Sequence, residues 1–301
     1  MGVMRATLLP RRQQPRRLES VYRAARALSL FLESDGESGL RVTEAARKLR
    51  VNKSTVSRLF ATLRDLGFVT ADADNGRYYV GPTAYAVGCR FSGAALARAV
   101  QQVIRDLSGQ SSSTAQLGML QGNRVVFLTV NPGPQRLRVV ARPGDTQYVH
   151  ASAMGKAMLA ALPAGTRDAL ISTMLDRTGT LPAVGPRTYR DPAALLTDLL
   201  RTAKRGYSIS NEESAAGMVG IGSYVGNAAG VHTALSVAFP IHQHKGNARI
   251  DVAASVAKAA SNARRLLVPD RVVRPGGADG ADAAGWGGGV ASGRTPPSMR
   301  P

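Results

Sequence analysis

Apolar positions recur along this chain with two different spacings, and the change of spacing marks its organisation. Over residues 19–33, ESVYRAARALSLFLE, Val21, Ala25, Leu28, Phe31 and Leu32 fall on one stripe at the 3.6-residue period, which predicts an amphipathic helix. Residues 43–49, TEAARKL, predict a short second helix with Thr43 as N-cap. A third helix is expected over 53–66, capped by Asn52 and followed by Gly67, where a left-handed residue closes a helix. FVTADADNGRYYVG then reads as two strand runs around Asn75-Gly76, a strong hairpin signal. Three helices and a hairpin over 19–82 are the layout of a winged helix-turn-helix.

Gly81-Pro82 ends that block, and 83–107 reads as helical: a linker helix over 83–97, then the first helix of a second domain spanning 98–268. From 114 the period shortens. TAQLGML, RVVFLTV and LRVVAR predict strands, followed by a helix at 155–162 stopped by Pro163 and helices near 166–175 and 192–204. Further strands are expected at 207–210, 218–225 and 233–239, with a closing helix at 248–267. Strands and helices mixed without strict alternation predict an α+β domain. The ends differ in texture. Residues 1–18 hold Pro10, Pro15, Arg11, Arg12, Arg16 and Arg17 and are expected to be a flexible basic arm. Residues 269–301, rich in Gly, Ala and Pro with a lone Trp286, bury too little apolar surface to offset ordering entropy and are expected to be disordered.

The polar face of the third helix carries the first chemistry. At 100° per residue, Val56, Leu59, Phe60 and Leu63 point inward, while Ser54, Ser57, Arg58, Ala61 and Thr62 point outward. Small residues let a helix approach base edges, hydroxyls bond bases or phosphates, and Arg pairs with guanine through two hydrogen bonds. Lys53 and Ser54 lie in the first turn, where free backbone N–H groups favour a phosphate. Candidate DNA contacts are therefore Thr43, Lys53, Ser54, Thr55, Ser57, Arg58 and Thr62, with Arg77 and Tyr78 after the hairpin tip. Composition strengthens this reading: 39 Lys and Arg against 20 Asp and Glu leave a formal charge of +19, which attracts a polyanion. Double-stranded DNA is the first such partner and an anionic membrane surface the second. A single cysteine, Cys89, excludes an internal disulfide framework and suits a reducing cytoplasm. No apolar run approaches the roughly 20 residues of a membrane span, and no apolar segment follows Arg11-Arg12 as an export signal would require.

Catalytic patterns fail one by one, and neither a catalytic residue, a metal site nor a cofactor is assigned. Gly155-Lys156 resembles a phosphate loop, but His150 stands where a glycine is required and Ala157 where Ser or Thr is required. Ser152 and Lys156 are four apart rather than three, so they do not form a Ser-x-x-Lys nucleophile. His232, His242 and His244 lack the Cys or Glu that would complete a metal site, and the adjacent Glu212 and Glu213 would face opposite sides of a strand. His150 and Lys156 fit a structural role near a helix start as well as ligand contact. The small residues Ala151, Ser152 and Ala153, ahead of a helix N-terminus, leave room for an anion such as a carboxylate.

The stretch VYRAARALSLFLES…LRVTEAARKLRVNKSTVSRLFATLRDLGFVTADADNGRYYVGP resembles the N-terminal domain of IclR-type bacterial transcriptional regulators. LRVVARPGDTQYVHASAMGKAML, GPRTYRD, RGYSISNEESAAGMVGIGSYV and ALSVAFP are similar, in order, to that family's effector domain, so the likeness covers about residues 20–267. The resemblance implies a winged helix-turn-helix joined by a linker helix to a GAF/PAS-like, ligand-binding domain with an antiparallel sheet. It also implies homodimers or homotetramers on palindromic operators, with half-sites about 34 Å apart or a multiple of that. A small-molecule effector, such as an organic acid, is placed by the resemblance at Ala153, Met154, Gly155, Ser210 and Gly220. Ser210 stands where relatives often have Asp, and Gly220 where they often have Cys. Open alternatives are a non-specific or architectural DNA-binding protein whose second domain only oligomerises, and an enzyme with a DNA-binding appendage.

Overall fold

The computed structural model describes residues 18–33, 38–90, 92–136, 139–228 and 230–267. All of the expected basic arm except Leu18, and the expected C-terminal tail, lie outside the described residues. The chain is α+β, with an N-terminal helix-turn-helix and wing followed by a domain built on an antiparallel sheet.

Helix α1 (Glu19–Ser29) tightens into a 3₁₀ turn at Leu30–Glu33 and is followed by α2 (Val42–Leu49) and α3 (Lys53–Asp65). The wing pairs β1 (Val69–Ala71) with β2 (Tyr78–Val80), and Leu40 adds one bridge to Tyr78. Phe60 is fully buried at the centre of this unit, 6.0 Å from the Phe31 ring and 4.7 Å from the Tyr78 ring, among Ala27, Leu30, Ala45, Val56 and Leu63. The end of α3 is closed by the geometry Gly67 permits. Gly67 has φ 72°, its N–H bonds the Arg64 carbonyl at 2.9 Å, and the Phe68 N–H bonds the Leu63 carbonyl at 2.8 Å, which is a Schellman closure.

Three local expectations are corrected here. The stripe on α1 holds only in part: Phe31 is buried and Leu28 half-buried as expected, with Ala27 and Leu30 joining them, while Val21, Ala25 and Leu32 are exposed, because the helix packs into the domain core through its C-terminal half. Thr43 is not the cap of α2. The helix begins one residue earlier, and the Glu44 carboxylate accepts the Arg41 N–H at 3.0 Å. Asn52 does precede α3, but only its carbonyl is used, accepting from the N–H groups of Thr55 and Val56.

The helical run after the wing is divided into α4 (Pro82–Cys89), α5 (Ser92–Ala99) and α6 (Gln101–Ser111). Then come β3 (Thr114–Gln121), β4 (Arg124–Asn131), β5 (Thr146–Tyr148), α7 (Ala153–Ala161), α8 (Ala164–Ser172), α9 (Pro192–Arg205), β6 (Ser208–Asn211), β7 (Met218–Ala228), β8 (Val231–Pro240) and α10 (Asn247–Arg265). The expected strand LRVVAR is not seen among the described residues. Its described residues, 139–142, are irregular, and β4 pairs instead with the later β5.

The second domain has three layers around a six-stranded antiparallel sheet ordered β5-β4-β3-β8-β7-β6. Strand alternation gives the sheet two unlike faces. Leu117, Val219, Ile221, Leu235, Val237 and Phe239 pack against Ile104 and Leu107 of α6 and Val252, Val256 and Ala260 of α10. The intervening positions, Gln116, Gly118, Gly220, Gly222, Ala234, Ser236 and Ala238, are small or polar, and the N-terminal turn of α7 sits on them. The cavity lies on that face, where these small and polar strand positions meet the start of α7, beside a core of Val125, Phe127, Met158, Leu159, Leu195 and Leu199. No helix among the described residues is long and apolar enough to cross a membrane.

Candidate nucleic-acid interface and effector pocket

Helix α3 is held by one face and offers the other. Val56, Phe60 and Leu63 are buried and Leu59 is half-buried, as the periodicity predicts, while Lys53, Ser54, Ser57, Arg58 and Thr62 are exposed. Lys53, Ser54, Ser57 and Arg58 make no side-chain hydrogen bond or ion pair with a described residue; Thr62 donates to the Arg58 carbonyl at 3.1 Å. Thr55 is half-buried, and Thr43 is exposed in the first turn of α2, beside Arg47 and Lys53 along one open cleft.

The wing differs from expectation. Arg77 is not a free cation at the tip: its guanidinium donates to the Ser38 and Gly39 carbonyls at 2.8 and 3.2 Å and lies 3.8 Å from Glu44. Tyr78 turns its ring onto Phe60 and belongs to the core. The tip itself is acidic and internally bonded, with Asn75 donating to Asp72 at 2.6 Å and Asp74 exposed. Both wing residues therefore brace the domain.

In the second domain four of the five residues expected around an effector come together. Ala153, Met154, Ser210 and Gly220 line one cavity, and Ser210 and Gly220 are direct cross-strand partners between β6 and β7. Gly155 does not line it. Gly155 packs against Val149, and a Cβ there would collide with the Val149 carbonyl, so its role is to let α7 start close to the preceding loop. Ser152 caps α7 by accepting the Gly155 N–H at 3.0 Å, which leaves the Ala153 and Met154 N–H groups in the unpaired first turn beside the cavity. Ser210 donates to the Ala151 carbonyl at 2.7 Å.

Sequence reasoning missed the rest of the lining: Gln116, Gln147, Ser214, Met218, Val219, Ser236 and Ala238. Gln116 and Ser236 are 3% and 4% exposed and have no side-chain hydrogen-bond partner among the described residues. As it stands the cavity holds only about 20 Å³, the space of one water, so a ligand must open it. Gln147 and Met218 form its outer wall and also line an open cleft of about 580 Å³ beside Arg124 and Asp145. A different cleft of about 230 Å³, against Ala157, Ala161 and Thr202, has polar groups already engaged: Ser223 donates to the Gly206 carbonyl, and the Tyr224 hydroxyl bonds His232.

Behind the cavity, Lys156 is fully buried. Its ammonium lies 2.7 Å from Asp198 and 2.7 Å from Glu213, and donates to the Ile209 carbonyl. Burial raises the Glu213 carboxyl to about 7 against the pull of Lys156. Glu212 and Glu213 diverge because Glu212 takes φ 58° after β6 ends; Glu212 faces Arg187 while Glu213 turns inward. His150 is buried, with Nε2 3.0 Å from the Pro182 carbonyl, and burial lowers its pKa. Lys156 and His150 are thus structural groups of the fold beneath the cavity.

Residues 90–265 match the family described as "Bacterial transcriptional regulator IclR C-terminal", and residues 20–73 match "IclR helix-turn-helix domain". This chain belongs to the IclR family of bacterial transcriptional regulators. Among curated proteins it is 34% identical over 226 residues to the HTH-type transcriptional regulator BhcR of Paracoccus denitrificans, covering 74% of this chain and 78% of that one. Among solved structures it is similar to an IclR transcriptional regulator from Alicyclobacillus acidocaldarius, with TM-score 0.71, 23% identity, and 83% and 99% of the two chains covered. An IclR homolog from Microbacterium hydrocarbonoxydans, complexed with 4-hydroxybenzoate, has TM-score 0.66 at 24% identity over 82% and 99%. The IclR assignment makes α3 part of a helix-turn-helix DNA-binding unit and the sheet domain an effector-binding unit. It also sets aside the enzyme alternative, since the relatives are regulators.

Proposed function

We propose that this IclR-family chain is a cytoplasmic, ligand-responsive regulator that binds a palindromic operator as a homodimer or homotetramer. The observation that carries the reading is the outward face of α3, where Lys53, Ser54, Ser57 and Arg58 stand exposed and uncommitted above a fixed apolar face. Assembly is supported by α4, which has no buried residue yet exposes Tyr85 and Val87 by 76% and 59%, and by Leu18 and Val21 at the start of α1. Two copies would place two α3 helices on half-sites about one DNA turn, or a multiple of it, apart.

The effector reading rests on the cavity at the start of α7 and on the 4-hydroxybenzoate complex of the Microbacterium homolog. A small organic acid would meet the Ala153 and Met154 N–H groups and the unpaired Gln116 and Ser236. Because the cavity is closed, the ligand shifts the protein only by as much as it favours the open arrangement. The test is a footprint on a selected operator, with and without a panel of small organic acids that includes 4-hydroxybenzoate. Symmetric protection that one acid strengthens or releases supports the reading. Diffuse protection on every sequence would support an architectural DNA-binding protein instead.

A further inference from the structure

The turn between α2 and α3 contains an arginine where the backbone favours glycine. Arg50 has φ 56° and ψ 44°, the left-handed region, and this lets the Val51 N–H reach the Ala46 carbonyl at 3.1 Å and close α2. The same chain puts Gly67 at the left-handed residue closing α3 and Gly206 at the one closing α9, with the small Ser112 at the one closing α6. A side chain in this conformation crowds its own backbone, a penalty glycine escapes. Nothing within the described protein compensates for the arginine. Its side chain is exposed and makes no hydrogen bond or ion pair with any described residue.

The surroundings supply a reason. Arg50 lies at the junction of two open clefts. One is shared with Arg47 and Lys53 beside the start of the recognition helix; the other with Arg26 and Lys48, and with Arg23, which is paired to Glu19. Arg26, Arg47 and Lys53 around this guanidinium repel one another in the free protein and are relieved by an anion. The adjacent α3 belongs to the DNA-binding unit, so the anion at hand is the DNA backbone.

We propose that Arg50 is a phosphate-contacting residue, kept in a strained turn because its guanidinium grips the DNA backbone beside Arg47 and Lys53. Resting on the DNA-binding reading of the domain, it accounts for affinity and register rather than for base choice. Replacing Arg50 by glycine should therefore have two effects of opposite benefit: the free protein is at least as heat-stable as wild type, and DNA binding is weaker.

The experiment titrates full-length wild type, Arg50→Gly, Arg50→Lys and Lys204→Gln against a fluorescent duplex of arbitrary sequence, about three helical turns long, between 0.1 and 1 M salt. Thermal unfolding of each protein is recorded in parallel. Lys204 is exposed on the second domain and controls for loss of one charge. A lost phosphate contact should flatten the slope of log K against log salt by about 0.9 per bound protomer, roughly an eightfold loss of affinity across that decade. Arg50→Lys should retain most of the slope, and Lys204→Gln should match wild type. A wild-type slope in Arg50→Gly, or an equal flattening in Lys204→Gln, overturns the proposal while leaving DNA binding intact. A lower melting temperature for Arg50→Gly also overturns it, since the side chain would then be stabilising the fold. If wild type itself shows no salt-dependent binding, the DNA-binding reading fails and this inference falls with it.

Discussion

Replacing Lys156 by methionine should destabilise the second domain far more than loss of an ordinary lysine. The ammonium is fully buried, 2.7 Å from each of Asp198 and Glu213, and also bonds the Ile209 carbonyl. Methionine fills similar volume but leaves two carboxylates facing each other in a desolvated space. Breaking a buried ion pair by removing one partner costs about 3–5 kcal/mol, against about 0–1 kcal/mol for a surface pair. With urea m values of about 1–3 kcal/mol/M, the unfolding midpoint should fall by at least ~1 M. The pH dependence identifies the mechanism. Glu213 titrates at about 7 in the folded protein against an ordinary value of 4.5. A raised carboxyl pKa contributes stability that is full below the unfolded value and lost as pH rises through the folded one. Without Lys156 the Glu213 pKa rises further, so both proteins lose stability up to about pH 7 but only the variant keeps losing it above. The deficit should therefore widen as pH is raised from 7, and adding Glu213→Gln should recover part of it. Urea unfolding of the full chain followed by circular dichroism reads all of this. A deficit under ~1 kcal/mol, or one that does not change with pH, would mean that the three groups do not act as a buried charge cluster.

Three further perturbations test other parts of the account. Phe60→Ala removes the ring shared by Phe31 and Tyr78 and should cost about 3–5 kcal/mol, abolishing DNA binding with it; near-normal binding and melting would contradict the assigned core. Gly155→Ala forces a methyl group against the Val149 carbonyl and should destabilise by about 1–3 kcal/mol, read as a drop in melting temperature; a neutral effect would show that the start of α7 has slack. Arg58→Ala should weaken operator binding by about 1–3 kcal/mol and relax preference at one base pair, measured against single-base operator variants; a uniform loss across all of them would make Arg58 a phosphate contact instead.

The recognition helix was legible in the sequence because its face pattern is local: Val56, Phe60 and Leu63 repeat at helical spacing and Gly67 marks the stop. The α1 stripe was half legible, right for Leu28 and Phe31 and wrong for Val21, Ala25 and Leu32, because period alone does not say which of two overlapping apolar stripes meets a partner. Ala27 is small enough to lie against α2, while Val21 is larger yet faces outward. The packing of the wing residues was not legible for a similar reason. Arg77 and Tyr78 follow a turn, and only the fold brings the 38–39 carbonyls and Phe60 to them. The cavity was half legible, since Ser210 and Gly220 were named as separate positions and proved to be cross-strand partners. Gln116 and Ser236 could have been found from the alternation on β3 and β8, where they interrupt apolar positions on the opposite face. Nothing local signals the left-handed turn at Arg50 or the meeting of Lys156, Asp198 and Glu213, which are 42 and 57 residues from Lys156 in the chain.

The central claim is that α3 of this IclR-family protein reads a specific DNA sequence. The most direct measurement compares binding of the purified protein to DNA from upstream of its own gene with binding to a random fragment of equal length, at two salt concentrations. The account predicts a preference of about a thousandfold or more that survives the higher salt, since base contacts add to the phosphate term that salt weakens. Equal binding to both fragments, lost in parallel as salt rises, with no sequence enriched when random DNA is then selected on the protein, would contradict it.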